Sequence, residues 1–190
     1  MKVKKLLSIF IGISLFLAGC GNGDSDTSTN GTAGVGEKTY AGSDFSINYP
    51  QDWEVIEPDS YTSNVPRQTV VAFRNNIQNE IFTANLSINI QNLDEDISSD
   101  DFTKSTISKT KKALLSFSEL PSTDIKIGDI EAKIIEFEGK KSPSEGIIHF
   151  KSLNIVKNKT AYTLMTAYLP NEDESVVNSI DTMLNSFSLK

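Results

Sequence analysis

Apolar and polar residues alternate with the two-residue period of β-strands over much of the chain. The alternation is clearest over residues 82–91, which predicts a strand with one face in the core. Residues 45–56 predict a hairpin that turns at Pro50 and faces the core with Phe45, Ile47 and Tyr49. Apolar runs predict further strands over 69–74, 125–130, 132–138, 146–156 and 161–169, with a turn at Asn158-Lys159.

A first amphipathic helix is predicted from about residue 100 to residue 117. Ser98 or Ser99 can cap it, and Asp100 and Asp101 suit the positive end of its dipole. Pro121 follows as a helix-breaking residue. The predicted apolar stripe consists of Phe102, Ile107, Leu114 and Phe117.

A second helix is predicted at the C-terminal end of the chain. Asn171 is its expected cap, and Glu174 completes a capping box. Its apolar stripe consists of Val176, Val177, Ile180, Met183, Leu184 and Phe187. The order of strands and helices predicts one α+β domain over residues 39–190, an antiparallel sheet flanked by helices.

The first 20 residues have the form of a secretory signal, with three lysines ahead of an apolar run at 6–17. The run is shorter than the ~20 residues that span a bilayer. Leu17-Ala18-Gly19-Cys20 resembles the lipobox of bacterial lipoproteins, which implies removal of residues 1–19 and acylation (diacylglyceryl, palmitate-type) of Cys20. An ordinary signal peptide with a chance cysteine is the alternative.

Removal of the signal makes the chain strongly acidic. The signal contains three lysines and no acidic residue, so the net charge of −7 becomes −10. Such a chain is repelled by phosphate backbones, which argues against a nucleic-acid partner. Cys20 is the only cysteine and His149 the only histidine, so we predict no disulfide, metal site or cofactor. The abundance of Lys, Asn, Ile and Ser, with Gly21 after the cysteine, favours a Gram-positive source.

Residues 20–38 are predicted to be the lipidated cysteine and a flexible tether. The 18 residues after Cys20 include five glycines and no aromatic residue, and as a coil they would span about 23 Å. Residues 31–39 partly match a phosphate-binding loop. Glu37 separates the glycine from Lys38, and no strand precedes the motif, so we do not predict nucleotide binding.

Five segments resemble the PsbP-like fold, which PsbP shares with Mog1 and the DcrB-like bacterial lipoproteins. They are residues 45–53, 84–88, 128–132, 162–164 and 186–189. The resemblance implies an α/β/α sandwich and a non-enzymatic adaptor, since PsbP assists an oxygen-evolving complex and Mog1 binds a small GTPase. It supplies no binding residue for this chain.

Two polar segments were weighed as candidate sites. The acidic loop Asp94–Asp101 spaces oxygen ligands like a calcium loop, but Ser99 and Ser105 replace the required glycine and glutamate. A solvated loop that caps the next helix is the favoured interpretation. Ser108–Lys111 matches the Ser-x-x-Lys motif of penicillin-binding enzymes, with Lys159 as a faint second element, but the third element is misplaced.

Five single residues have simpler interpretations. His149 is predicted to be a surface or partly buried strand residue, Trp53 a core residue, and Glu136 and Glu138 solvent-facing. Tyr61 lies in a loop and is predicted to be exposed, with an interaction anchor as the alternative.

The sequence therefore predicts a non-enzymatic accessory lipoprotein, bound to the outer face of a bacterial cytoplasmic membrane through Cys20 and acting on an unidentified protein partner. The alternatives are a binder of a small solute or a divalent cation such as calcium or manganese, and a hydrolase whose site is not visible.

Overall fold

The structure, a computed structural model, describes residues 36–61, 65–76 and 82–190. The predicted signal, Cys20 and most of the predicted tether lie outside these residues. The strands are β1 Glu37–Ala41, β2 Phe45–Pro50, β3 Trp53–Ile56, β4 Thr69–Asn75, β5 Asn85–Asn92, β6 Leu115–Glu119, β7 Thr123–Ile127, β8 Ile130–Lys140, β9 Ile148–Lys157, β10 Thr160–Tyr168 and β11 Ser188–Leu189. The helices are α1 Ser99–Ala113 and α2 Glu174–Ser186.

The strands form two antiparallel sheets. The large sheet has the order β3-β4-β5-β10-β9-β8-β6, and β7 also pairs with β8. The small sheet has the order β1-β2-β11. The predicted class, an antiparallel α+β domain with helices, is confirmed.

The two helices lie on opposite faces of the large sheet. On one face, α2 and the small sheet share the main core with residues such as Phe73, Leu86 and Leu164. On the other face, α1 contacts β9 and β8, where Phe137 and Phe150 stack with ring centroids 5.1 Å apart. Neither helix among the described residues is long and apolar enough to cross a membrane.

The predicted hairpin over residues 45–56 is wrong. Strand β2 pairs with β1 and β11 in the small sheet, whereas β3 pairs with β4 in the large sheet. The Pro50-Gln51-Asp52 link carries the chain between sheets, and Gln51 N donates to Gly36 O over 2.9 Å. The inward positions were nevertheless correct, because Phe45 and Ile47 are buried and Tyr49 packs against the same core.

The predicted extent of the first helix is also wrong. Helix α1 ends at Ala113, and Leu114 is an extended C-cap residue. The next residues pair with β8 as strand β6, because the edge of β8 offers unpaired backbone groups there. Leu114 and Phe117 still pack on the α1 side of the sheet, from extended backbone.

The cap of the second helix differs from the prediction. Asp173 is the N-cap and makes no side-chain cap hydrogen bond. Asn171 lies in a turn closed by the hydrogen bond from Glu172 N to Leu169 O, so it cannot reach the first helical amides. The apolar stripe of α2 is confirmed for Val176, Ile180, Met183 and Leu184, which are buried, and for Phe187 just beyond the helix; Val177 is only partly buried and packs against the same core.

Two turns fix the register of the strands around the candidate site. Asn158 and Lys159 have φ values of 52° and 60°, as the predicted β9–β10 hairpin turn requires. The β7–β8 turn lies at Gly128-Asp129, where Gly128 has a φ of 59°. The predicted strands on either side of this turn were therefore displaced, since β7 ends at Ile127 and β8 begins at Ile130.

Candidate functional site

An open groove lies between the N-terminal half of α1 and the β7–β8 hairpin. Its volume is about 770 Å³. Its lining includes apolar side chains from the segment before α1, from α1, from β8 and from β9. They include Ile97, Ile107, Ile135 and Val156.

The start of α1 is fixed by a reciprocal cap. Ser98 Oγ accepts a hydrogen bond from Asp101 N at 3.0 Å and donates to Asp101 Oδ2 at 2.7 Å. Ser99 Oγ accepts from Val156 N at 3.0 Å, which ties this end of the helix to β9. Of the two predicted cap residues, Ser98 is therefore the cap, and Asp101 at the end of the acidic loop is hydrogen-bonded to it.

The rim of the groove carries more negative than positive charge. Asp100 accepts a hydrogen bond from Lys104 Nζ at 2.5 Å, and Lys133 pairs with Asp124 across β7 and β8. These hydrogen bonds raise the pKa of both lysines. The lining residues include four acidic residues and two lysines, a formal charge of −2.

The two remaining acidic residues give the groove its excess charge. Glu119, at the end of β6, and Glu131, in β8, are both exposed. Neither forms an ion pair within the described parts of the chain. A cationic group in the groove would therefore meet carboxylates that no lysine of the groove neutralises.

The acidic loop does not converge on a point. Asp94, Glu95 and Asp96 are exposed, whereas Asp100 pairs with Lys104 and Asp101 is hydrogen-bonded to the cap residue Ser98. Among residues 36–61, 65–76 and 82–190, no group of three or more Asp, Glu, His or Cys side chains is arranged to hold a metal ion.

The Ser-x-x-Lys segment lies on the outer side of α1. Ser108 and Lys111 are exposed, and Lys111 Nζ lies 6.0 Å from the centroid of the Phe117 ring. Lys159 lies in the β9–β10 turn, where its carbonyl accepts a hydrogen bond from Leu93 N. These three residues do not form the nucleophile site that the motif would need.

A second cluster of charges lies between α2 and the large sheet. Lys151 is only 6% exposed. Its Nζ lies 2.5 Å from Asp181 Oδ1 on α2 and 3.6 Å from Glu136 Oε1 on β8. Glu136 was predicted to face water, but it is half-buried because it shares this face of the sheet with Lys151.

His149 and Glu138 form the outer part of the same cluster. His149 Nε2 lies 2.9 Å from Glu138 Oε2, and its ring meets Tyr168 edge-on at 5.7 Å. Burial, followed by the charges of Glu136 and Asp181, raises the pKa of Tyr168 above its usual value. His149 is partly buried in a strand, as predicted, whereas Glu138 was wrongly predicted to face water.

Sequence reasoning missed Lys151 and Asp181. A lysine in the apolar run of β9 was a visible signal, because a buried lysine needs a partner. The partner lies 30 residues away in the chain, and only the packing of α2 brings it into contact.

The two aromatic predictions had different outcomes. Trp53 is a core residue, 5% exposed. Tyr61 was predicted to be exposed, but its hydroxyl is buried, and burial raises its pKa, assisted by Tyr40 and Glu57. Tyr61 therefore contributes to packing beside Tyr40 and Glu57 rather than to an exposed surface.

Comparison with known proteins identifies a family. A family model described as PsbP-like protein matches residues 20–189. No curated protein sequence matches the chain.

Solved structures share the fold at low sequence identity. Cyanobacterial PsbP (CyanoP) from Synechocystis is 15% identical, with a TM-score of 0.59 over 86% of this chain and 98% of its own. The Ran-binding protein Mog1p of Saccharomyces cerevisiae is 10% identical, with a TM-score of 0.57 over 80% and 94%. LpqN of Mycobacterium tuberculosis, described as involved in cell envelope biogenesis, is 14% identical, with a TM-score of 0.56 over 81% and 90%. The match to the family model, with this shared fold, makes the chain a member of the PsbP-like protein family.

Proposed function

We propose that the protein is a lipid-anchored accessory protein on the outer face of the cytoplasmic membrane, which acts by binding another protein and not by catalysis. The observation that carries the proposal is the lipobox-like Leu17-Ala18-Gly19-Cys20 placed directly before the family domain. The family match begins at Cys20, the predicted first residue of the mature chain.

The arrangement of polar side chains supports the non-catalytic part of the proposal. His149 is engaged by Glu138 and packs on Tyr168, and no serine hydroxyl of the described residues bonds to it. General-base activation of a nucleophile requires the two groups within about 2.6–3.2 Å of each other. Two of the three proteins named above are described as Ran-binding and as involved in cell envelope biogenesis, which is consistent with an accessory role.

The anchor is tested with Cys20→Ala in the native host. We expect loss of metabolic labelling by a palmitate analogue, together with release into the medium or retention of an uncleaved signal. Two acyl chains anchor a protein stably, whereas a chain without them has no comparable membrane affinity. Thr27→Ala in the predicted tether is the matched control and should change neither readout. A Cys20→Ala chain that is still processed and membrane-bound would refute the anchor.

The protein-binding role is tested by photocrosslinking in living cells. A photoreactive residue is placed at exposed positions on each face of the domain, and crosslinked products are identified by mass spectrometry. One reproducible partner from adjacent positions supports the accessory role. Equal, diffuse crosslinking from every position would contradict it.

Binding of a small solute is the second candidate function, and the size of the groove favours it. A volume of about 770 Å³ lies within the ~300–1,000 Å³ typical of ligand pockets. A solute that raises the melting temperature at micromolar concentration would support this function. Calcium and manganese belong in the same screen, because the acidic loop Asp94–Asp101 spaces oxygen ligands in part like a calcium loop.

A further inference from the structure

We infer that the groove between α1 and the β7–β8 hairpin is the docking site for a short basic and apolar peptide segment of the partner protein. The inference rests on the proposed protein-binding function and specifies the surface and the chemistry of its occupant.

The shape of the groove favours a peptide over a small molecule. Pockets for small ligands enclose 70–90% of the ligand surface. This groove is only partly enclosed, so one side of a bound small solute would stay in contact with water. A polypeptide segment can lie along it and bury only one of its faces.

The apolar lining supplies the contact that such a segment needs. Ile97 and Ile107 are only partly buried by the chain itself, and Ile135 and Val156 are further apolar residues of the lining. Covering apolar surface contributes roughly 25 cal/mol per Å². Side chains such as valine or leucine on one face of the segment would therefore stabilise the complex.

The charge of the rim specifies the other face of the segment. Glu119 and Glu131 form no ion pair within the described residues, although Lys126 lies opposite Glu131 on β7, and the lining carries a net charge of −2. Lysine or arginine side chains that point toward the rim would satisfy both carboxylates. Complementary charge of this kind raises specificity and association rate.

Once residues 1–19 are removed, the two occupants that the mature chain itself could supply have the wrong charge. Residues 20–35 contain Asp24 and Asp26 but no lysine or arginine. A second copy of the mature chain would bring a net charge of −10. Both would be repelled by the rim.

The test uses the full chain reconstituted into phosphatidylcholine vesicles, which carry no net charge. The probe is a fluorescein-labelled octapeptide of alternating lysine and valine, and the control probe replaces lysine with glutamate. Binding is measured by anisotropy at 150 mM salt, where charges beyond about 8 Å are screened. Vesicles without protein provide the blank.

The variant Glu119→Lys/Glu131→Lys should weaken binding of the lysine–valine peptide about tenfold or more. The matched control Asp52→Lys/Asp59→Lys changes the net charge equally, at exposed positions near the opposite edge of the large sheet, and should change binding less than twofold. The milder variant Glu119→Gln/Glu131→Gln should give an intermediate loss of binding. It keeps the test valid if the charge-reversed chain misfolds. The glutamate–valine peptide should not bind.

Three outcomes would overturn the inference. They are an equal loss in both charge-reversed variants, no binding of the lysine–valine peptide by the native chain, and homodimers crosslinked through a photoreactive residue at Lys104, an exposed position that lines the groove. None of these would refute the proposed function, because a partner could still crosslink elsewhere on the domain. Failure of the crosslinking experiment in cells would instead refute the protein-binding function.

Discussion

At the scale of single residues, one hydroxyl on α1 is buried at a cost. Thr106 is 1% exposed, and its Oγ1 has no hydrogen-bond partner among the described residues. A buried hydroxyl without a partner costs about 1–3 kcal/mol. Replacing it with a methyl group of similar shape removes that cost.

Thr106→Val should therefore raise the free energy of unfolding by about 1 kcal/mol. The matched control is Thr110→Val, one turn later, because Thr110 is equally buried and its Oγ1 donates to Thr106 O at 3.1 Å. Thr110→Val loses the existing hydrogen bond to Thr106 O, so this control should be neutral or destabilising. Urea unfolding measures both, and a greater stability of Thr110→Val than of Thr106→Val would contradict the assignment.

Tyr168 makes the stability of the protein sensitive to alkali. Burial raises its pKa above the 10.0 of a free tyrosine, so above pH 10 the unfolded chain loses this proton before the folded chain does. The stabilising contribution is therefore complete below pH 10 and declines as the pH rises further. Its limiting slope is about 1.4 kcal/mol per pH unit.

Tyr168→Phe should remove the contribution of this phenol's ionisation to the pH dependence of stability. Between pH 10 and pH 11, the free energy of unfolding of the variant should fall less steeply than that of the native chain. Urea unfolding at several pH values gives the two slopes. Parallel slopes would show that Tyr168 ionises equally in both states.

At the scale of elements, α1 depends on its cap more than α2 does. Its buried face carries Phe102 and three threonines, whereas the face of α2 is apolar. Threonines contribute little apolar burial, so the hydrogen bonds of Ser98 are a large share of what fixes the first turn.

Ser98→Ala should lower the free energy of unfolding by about 1 kcal/mol, because Asp101 N loses its acceptor. The control Ser108→Ala, on the exposed side of α1, should be neutral or slightly stabilising. Urea unfolding gives the size of the effect, and faster amide exchange in the first turn locates it. Unchanged exchange there would mean that the cap does not hold the helix.

Local pattern predicted those elements whose structure is decided locally. The alternation in β5, the φ > 0 turn at Asn158-Lys159 and the stripe of α2 each depend on neighbours in sequence. The end of α1 does not depend on neighbours in sequence. Leu115–Glu119 forms a strand and not a further helical turn because it pairs with the free edge of β8. The pairing of β2 likewise depends on a distant segment, because β2 pairs with β11, about 140 residues away in the chain.

The candidate groove was only partly predictable for the same reason. Ser98 and Asp100 were singled out, since an acidic loop before a helix is a local signal. Glu119 and Glu131 gave no signal, because their significance comes from facing α1 across the sheet and from forming no ion pair within the described residues. Only the assembled layers bring these residues together.

At the scale of the whole molecule, the two faces of the large sheet are held in different ways. The α1 face is open beside the helix and contains the groove. The α2 face is closed by the main core, and Lys151 joins Asp181 of α2 to Glu136 of β8 there. We expect the second face to be the rigid support and the first to be the one that adapts to a partner.

Lys151→Met tests the rigid face, since it keeps the length of the side chain and removes its charge. Two carboxylates would then lie near each other without their shared cation, and a buried pair that loses one member costs up to 3–5 kcal/mol. Asp181 and Glu136 keep 41% and 26% exposure, so water screens part of this cost and we expect a loss of about 2 kcal/mol. Lys133→Met is the control; its pair with Asp124 is exposed, and its loss should not be measurable. Adding Asp181→Asn to Lys151→Met should restore part of the stability, because it removes the repulsion between the carboxylates. A double variant no more stable than Lys151→Met alone would mean that Lys151 acts through packing, and that the charges do not join the layers.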